Sequence, residues 1–384
     1  MRATLGSELQ KSKGIGPGFD LVRIGLASLI LFGHCFWVAG LAPAIAVQNA
    51  TSHAIQGEQV VHYVPHVFGG QTYFRLMLVP MFFAVSGFLV TGSAFRTNSL
   101  RIFLTYRILR IVPALFTEVS LSALVLGPLL TTFALRDYFT DVRFWEYFGS
   151  IIGRVRFQLP GVFWNNPSTS TVNVNLWTLP PEFYCYLIVA ALLAASLLAH
   201  RKAFTLIFAV ATAWLIAGNV RAIVDGQDVD PLPNALIVYY FFAGCLLFHW
   251  REYVPYHLTL FIACALASYL LYAYQMLFVA PLFVSYIVIY VGMTALPRVP
   301  LIQSGDYSYG VYLYGFPLAQ AIICVLTQLR GHGWLLFGIA APVVFSFAAL
   351  SWHVVEKPTL ALKRAVASAG SRPRSSSADR LRSS

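Results

Sequence analysis

Charge is what this chain has least of. Only 11% of its 384 residues are Asp, Glu, Lys or Arg, where a soluble domain carries about a quarter. With 58% hydrophobic residues, one protein interior cannot take every apolar side chain, so lipid must cover many of them. Cysteine is also scarce. Cys35, Cys185, Cys245, Cys264 and Cys324 all lie in apolar runs and none forms a CxxC pair; they read as buried spectators, not as disulfides or metal ligands. No His/Cys/Asp set has metal-ligand spacing, no Gly-rich nucleotide loop is present, and no internal repeat is visible. A cleavable signal peptide is not expected either. The first eighteen residues are polar and Gly-rich, and the apolar run after them is long enough to span, with no small-residue cleavage site. The net charge of +11 would suggest nucleic acid in a soluble protein. Here the basic residues gather at the ends of apolar runs and in the tail, which makes them orientation signals.

What is present is apolar length. About 20 apolar residues cross a bilayer core as a helix, and on that rule spans are predicted near 19–40, 74–95, 104–130, 177–199, 203–220, 234–250, 257–273, 275–296, 308–328 and 334–355. The expected fold is an all-α, polytopic transmembrane bundle of about ten spans. It is preceded by a segment 1–18 and followed from 359 to 384 by a Ser/Arg-rich tail that reads as disordered. With both termini placed in the cytoplasm, nineteen of the 26 basic residues fall on the inner side, which agrees with an even span count. Two long outer loops follow. Residues 41–73 carry His53, His62 and His66. Residues 131–176 carry four arginines, Trp164-Asn165-Asn166-Pro167 and the run Ser168 to Thr171. Long loops in compact proteins often carry function, and together these two could roof an outward cleft.

Ionisable groups inside spans are costly and therefore informative. Arg23 and His34 stand eleven residues apart, almost three whole turns, so both point to one side of the first span about 16 Å apart. Arg96 and Arg107 repeat the spacing of eleven across the inner turn that follows Ser86-Gly87-Phe88-Leu89. With Arg23, Arg101 and Arg110 they form a basic cluster. Such guanidiniums can hold phosphates bidentately or simply anchor the positive side of the bundle. Glu182 follows Leu176-Trp177-Thr178-Leu179-Pro180-Pro181, where prolines suit a helix's first turn and a carboxylate complements its dipole. Its alternative role is to orient an imidazole or a sugar hydroxyl at the depth of His34. Glu118 is deeper, and pairing with a span arginine is the expectation. Asp306 reads as a helix cap, followed by an aromatic face of Tyr307, Tyr309, Tyr312 and Tyr314.

Together these pieces resemble the acyltransferase-3 family of membrane acyltransferases, which modifies bacterial surface polysaccharides, lipopolysaccharides and other acceptors. The matching stretches are Phe19-Asp20-Leu21-Val22-Arg23 leading to His34, Phe82 to Leu89, the pair Arg96 and Arg107, Leu176 to Leu179 with Glu182, Ser308 to Leu313, and Val355-Glu356-Lys357-Pro358. They run in order from about residue 18 to 359. One departure is Tyr314-Gly315-Phe316-Pro317, where many members have a His before the Pro. The chain also shows no appended soluble hydrolase-like domain.

The resemblance implies an O-acyltransferase of the bacterial inner membrane. It would move an acyl group, acetyl above all, from cytoplasmic acyl-CoA to a hydroxyl of a surface glycan or lipid-linked sugar. Acyl-CoA is then a co-substrate and no cofactor stays bound. The implied partners are the donor, the saccharide and membrane lipids, with no nucleic acid. His34 and Glu182 become the catalytic candidates, and Arg23, Arg96, Arg107 and Ser86 the donor-binding ones. Glu118 and Trp177 belong to the site or to its scaffold. A His with an ordinary pKa near 6.5 suits base catalysis near neutrality. Two other classes would also bury Arg, His and Glu: a small-solute transporter, and a non-catalytic subunit of a polysaccharide export complex.

Overall fold

The computed structural model describes residues 3–12, 14–41, 70–97, 99–224, 234–273, 276–295 and 305–362. Loop residues 42–69 with their three histidines, and the tail from 363, lie outside the described residues.

All ten predicted spans fold as helices. The first is α2 (Phe19–Val38), then α3 (Gly70–Thr97) and α4 (Leu100–Leu121), which runs on through a π-turn at Ser122–Leu126 to Leu130. Two short helices follow in the next loop, α5 (Leu135–Thr140) and α6 (Val142–Tyr147). Next come α7 (Leu179–Ala194), α8 (Arg201–Val224), α9 (Asn234–His249), α10 (Leu258–Ala273), α11 (Pro281–Met293), α12 (Ser308–Val325) and α13 (Gly333–Ser351). Seven of the described helices are long and apolar enough to cross a membrane by length and composition; α9, α10 and α11, at 16, 16 and 13 residues, are shorter. The span expected over 275–296 is cut back because a turn fills the approach to Pro281.

Segment 1–18, expected only as a polar leader, contains a helix. In α1 (Leu5–Lys11) Thr4 and Ser7 cap one another reciprocally, which satisfies two backbone N–H groups at a helix start. Leu5 and Leu9 are buried, and the Leu5 and Gly6 amides donate to Val254 and Arg251 carbonyls at 3.0 and 2.8 Å. The Gly18 amide likewise donates to Gly292 O. These bonds gather residues 3–18, 250–256 and 292 on one rim. At the opposite rim the Ser168 hydroxyl donates to Trp37 O, the Gly331 amide to Ala39 O and the Arg330 guanidinium to Asn165 O. Both rims lie at helix ends: α2 runs from the first, at Gly18, to the second, at Trp37 and Ala39.

Two features fix the middle of the bundle. The first is a backbone crossing of α3 and α9. A Cβ at Gly87 would come within 1.9 Å of Phe241 O, and one at Gly244 within 2.0 Å of Ala84 O. Only small residues allow such an approach, as at close membrane helix contacts. This gives Gly87 of the Ser86-Gly87-Phe88 motif a packing reason. The second is a dip of the loop between α6 and α7 into the bundle at the 3₁₀ turn Val174–Thr178. Pro317 lies inside α12 and has no N–H to offer Leu313 O. That carbonyl accepts from Asn173 Nδ2 at 2.9 Å instead, and the Tyr312 carbonyl accepts from Asn175 Nδ2 at 2.5 Å. The turn is thereby pinned one helical turn inside α12, and α7 starts from within the bundle.

Candidate active site

The helices enclose a chamber of about 270 Å³. Arg23 of α2, Ser86 of α3, Arg107 and Arg110 of α4, Glu182 and Tyr186 of α7, and Ser308, Tyr309 and Tyr312 of α12 line it, with an apolar wall that includes Phe82, Phe83 and Phe241. Four of the sequence candidates, Arg23, Ser86, Arg107 and Glu182, thus meet in one space. Two do not. Arg96 is exposed at the end of α3 and His34 is half-buried further along α2, and neither lines the chamber.

The three chamber arginines differ. Arg23 and Arg110 both donate to Asp306 Oδ2 at 2.6 Å. Burial would raise the Asp306 carboxyl, but Arg110 and Arg23 outweigh it and hold the group well below the usual carboxylate range. The cap expected at Asp306 is therefore a charge clamp: α12 begins with no side-chain cap, and the carboxylate spends itself on two guanidiniums and the Ser308 hydroxyl. Among the described residues Arg107 makes no ion pair with a carboxylate. One guanidinium NH₂ group donates to Ser93 Oγ at 3.2 Å, Phe103 and Tyr186 present their ring faces at 5.6 Å, and the buried Nε has no hydrogen-bond partner among the described residues. The matched spacing of Arg96 and Arg107 does not put them on one helix, because α3 ends at Thr97 and α4 starts at Leu100.

Glu182 accepts from the Tyr186 hydroxyl at 2.5 Å. It opens into the arginine chamber, whereas the sequence placed it at the depth of His34. The dip at Val174–Thr178 is the cause: it starts α7 level with Tyr312, to whose hydroxyl Thr178 Oγ1 is bonded at 2.8 Å. His34 packs edge-on against Phe316 at 5.2 Å and near Trp37 at 6.3 Å. Ser308, Tyr312, Phe316 and Gln320 recur every four residues, on one face of α12. That face leads from the chamber past His34 to the opposite rim.

Glu118 takes no arginine. Its Oε1 accepts from Ser122 Oγ and Asn173 Nδ2, both at 2.9 Å, so it braces the dip and stands outside the chamber lining. Trp177 is partly buried between two core clusters. The four tyrosines expected as one face diverge: Tyr309 and Tyr312 line the chamber, Tyr307 meets His353, and Tyr314 donates to Ser351 Oγ. Tyr186 was missed as a chamber residue, and the clamp that Asp306 makes on Arg23 and Arg110 was missed as well. A signal for Tyr186 existed, since it is four residues after Glu182, a spacing that shares a helix face.

A family profile described as an acyltransferase domain matches residues 17–353. The chain belongs to the acyltransferase-3 family. It is an acyltransferase acting on groups other than aminoacyl, and its family and apolar helices make it a multi-pass membrane enzyme. Among curated relatives, the enzyme is 28% identical over 340 residues to an O-acetyl transferase of Shigella phage Sf6, covering 84% of this chain and 95% of that one. It is 27% identical over 397 residues to nodulation protein 10 of Rhizobium leguminosarum bv. viciae, covering 94% and 97%. No solved structure matches it significantly. The family and the first relative's name support O-acyl transfer.

Proposed function

We propose that this acyltransferase takes acetyl from acetyl-CoA at the cytoplasmic face of the bacterial plasma membrane and transfers it to a hydroxyl of a cell-surface glycan or lipid-linked sugar. The observation that carries the reading is the chamber, in which Arg107 keeps a buried donor N–H open beside a clamped pair of arginines. A phosphate oxygen suits that N–H, because guanidinium geometry matches it. Positive charge at the rim of Arg23 and Arg251 supports placing that rim inside.

His34 is the general base. It shares a helix face with Arg23, about 16 Å away by helix rise, and an extended donor arm bridges the gap past Tyr312. His34 takes the proton of the acceptor hydroxyl as its oxygen attacks the thioester carbonyl. The carbon–sulfur bond breaks, and the departing thiolate receives the proton from His34. Glu182, held by Tyr186, orients the donor inside the chamber. Purified protein, labelled acetyl-CoA and isolated surface glycan test this directly. The expected product carries one acetyl group and vanishes in a folded His34→Ala variant; full transfer by that variant removes His34 from the mechanism. Glycans from cells with and without the gene should differ in mass by one acetyl group.

A further inference from the structure

The loop between α4 and α7 contains an exposed aromatic that the chamber does not use. Trp164 keeps 47% of its surface open. Its presentation is built into the backbone. Phe163, just before it, is buried yet adopts φ 59°, and Gly161 has φ +69° with Thr131 Oγ1 within 2.6 Å of where a Cβ would stand. A bulky residue in the left-handed region is uncommon and clusters at functional sites. Phe133 meets the indole at 5.1 Å and 81°, and the Arg143 guanidinium lies over both rings at 5.7 and 5.9 Å. Asp141 fixes Arg143 through two guanidinium bonds of 2.6 and 3.0 Å.

The position is as telling as the construction. Two residues on, Asn166 Nδ2 donates to Gln320 Oε1 at 2.8 Å, while its Oδ1 is buried with no hydrogen-bond partner among the described residues. Gln320 is one turn beyond Phe316, the ring that His34 meets. The Trp164 cluster therefore stands at the far end of the α12 face that begins in the chamber.

We propose that Trp164, braced by Arg143 and Phe133, is the platform on which the saccharide acceptor stacks before its hydroxyl reaches His34. A pyranose has an apolar C–H face ringed by hydroxyls. The open indole takes the face, and Arg143 with the exposed amide of Asn165 takes the hydroxyls. An interfacial anchor looks different, as Trp145 shows: it is 65% exposed beside exposed Val142, Phe139 and Leu135, the setting of a lipid-facing aromatic belt. Trp164 instead is held between the Phe133 ring and the Arg143 guanidinium.

This inference rests on the reading that the acceptor is a saccharide, and the experiment separates the two. Oligosaccharides released from the host's surface glycan are added to the full-length protein in detergent without donor, and intrinsic fluorescence is followed. The wild type and Trp145→Phe should respond, and Trp164→Phe should lose the response. Equal responses from wild type and Trp164→Phe, or none from the wild type, overturn the platform. In the transfer assay, Trp164→Ala should raise the acceptor KM about tenfold and leave the donor KM within twofold, with Trp164→Tyr recovering most of the loss and Trp145→Ala unchanged. An unchanged acceptor KM in Trp164→Ala also overturns the platform. A fluorescence response with no acetyl transfer by the wild type supports the platform and overturns the proposed reaction instead.

Discussion

Among the described residues Arg107 makes no ion pair. Its near neighbours are the Ser93 hydroxyl, two aromatic faces and the like-charged Arg110, and the Glu182 carboxyl, bonded to Tyr186, acts on it across the chamber. Arg107→Ala should therefore weaken acetyl-CoA binding at least tenfold, and Arg107→Lys should recover little, because an ammonium lacks the planar fork. Equilibrium binding of labelled donor to detergent-solubilised protein checks both; normal affinity in either removes Arg107 from the phosphate site. Asp306 makes a different prediction. Replacing it with Asn leaves Arg23 and Arg110 facing one another, and breaking a largely buried pair costs several kcal/mol. The side chains keep about a fifth of their surface exposed, so a loss on the order of 2–4 kcal/mol is expected. Because the folded carboxyl is held below its ordinary value, the stabilisation is fully present above about pH 4. It disappears only as pH falls through the depressed value. The gap in thermal unfolding between wild type and Asp306→Asn should thus stay constant from pH 5 to 9. A gap that closes within that window would show the clamp to be unimportant. At this scale the sequence singled out Arg23 and Glu182 by cost of burial, and Arg107 by its spacing from Arg96. It misassigned Asp306, whose two partners lie 283 and 196 residues away, because only the three-dimensional packing of α2 and α4 around the start of α12 brings them together.

Elements explain why Glu182 and His34, expected at one depth, are separated. The prolines were visible in the sequence, but a proline announces only that a carbonyl is freed. What occupies that carbonyl comes from 140 residues away, in the turn that carries Asn173. Asn173 serves two buried acceptors at once, Leu313 O and Glu118 Oε1. Removing it leaves Leu313 O unpaired and Glu118 Oε1 with Ser122 alone, and a lost partner at a buried acceptor costs about 1–3 kcal/mol. Asn173→Ala should consequently destabilise the protein by roughly 2–4 kcal/mol and lower transfer, since the start of α7 and with it Glu182 lose their depth. In Pro317→Ala the new N–H can reach Leu313 O. The double variant Asn173→Ala/Pro317→Ala should therefore lose less than the two single changes summed. A double-mutant cycle on unfolding temperature measures that coupling. Strict additivity would mean that the freed carbonyl does not hold the turn. The crossing of α3 and α9 is equally illegible in one dimension: Gly87 and Gly244 are ordinary span glycines until each is found against the other helix's backbone.

For the whole molecule, apolar length was the most legible signal. A helix lies within each predicted span, and seven of the described helices are long and apolar enough to cross a membrane, because an apolar run buried in lipid leaves the backbone no other way to satisfy its own hydrogen bonds. Loop structure was less legible, since α1, α5 and α6 are too short for periodicity to reveal. The two rims give the orientation a concrete form. One gathers α1 and the turn after α9, and the other gathers Trp164 to Ser168 over the ends of α2 and α12. If basic residues set direction here as they do across short loops, the α1 rim is cytoplasmic and the donor enters beside it. Single cysteines at exposed positions report this. Of the native ones, Cys35, Cys185, Cys245 and Cys264 are buried and Cys324 is half-buried, so background labelling by a charged maleimide should be low. Gln10→Cys should react only after the membrane is opened, and Asn165→Cys should react in intact spheroplasts. The opposite pattern would invert the bundle. It would also separate the arginine chamber from the cytoplasmic pool of acyl-CoA, so the same experiment bears on where the acyl group comes from.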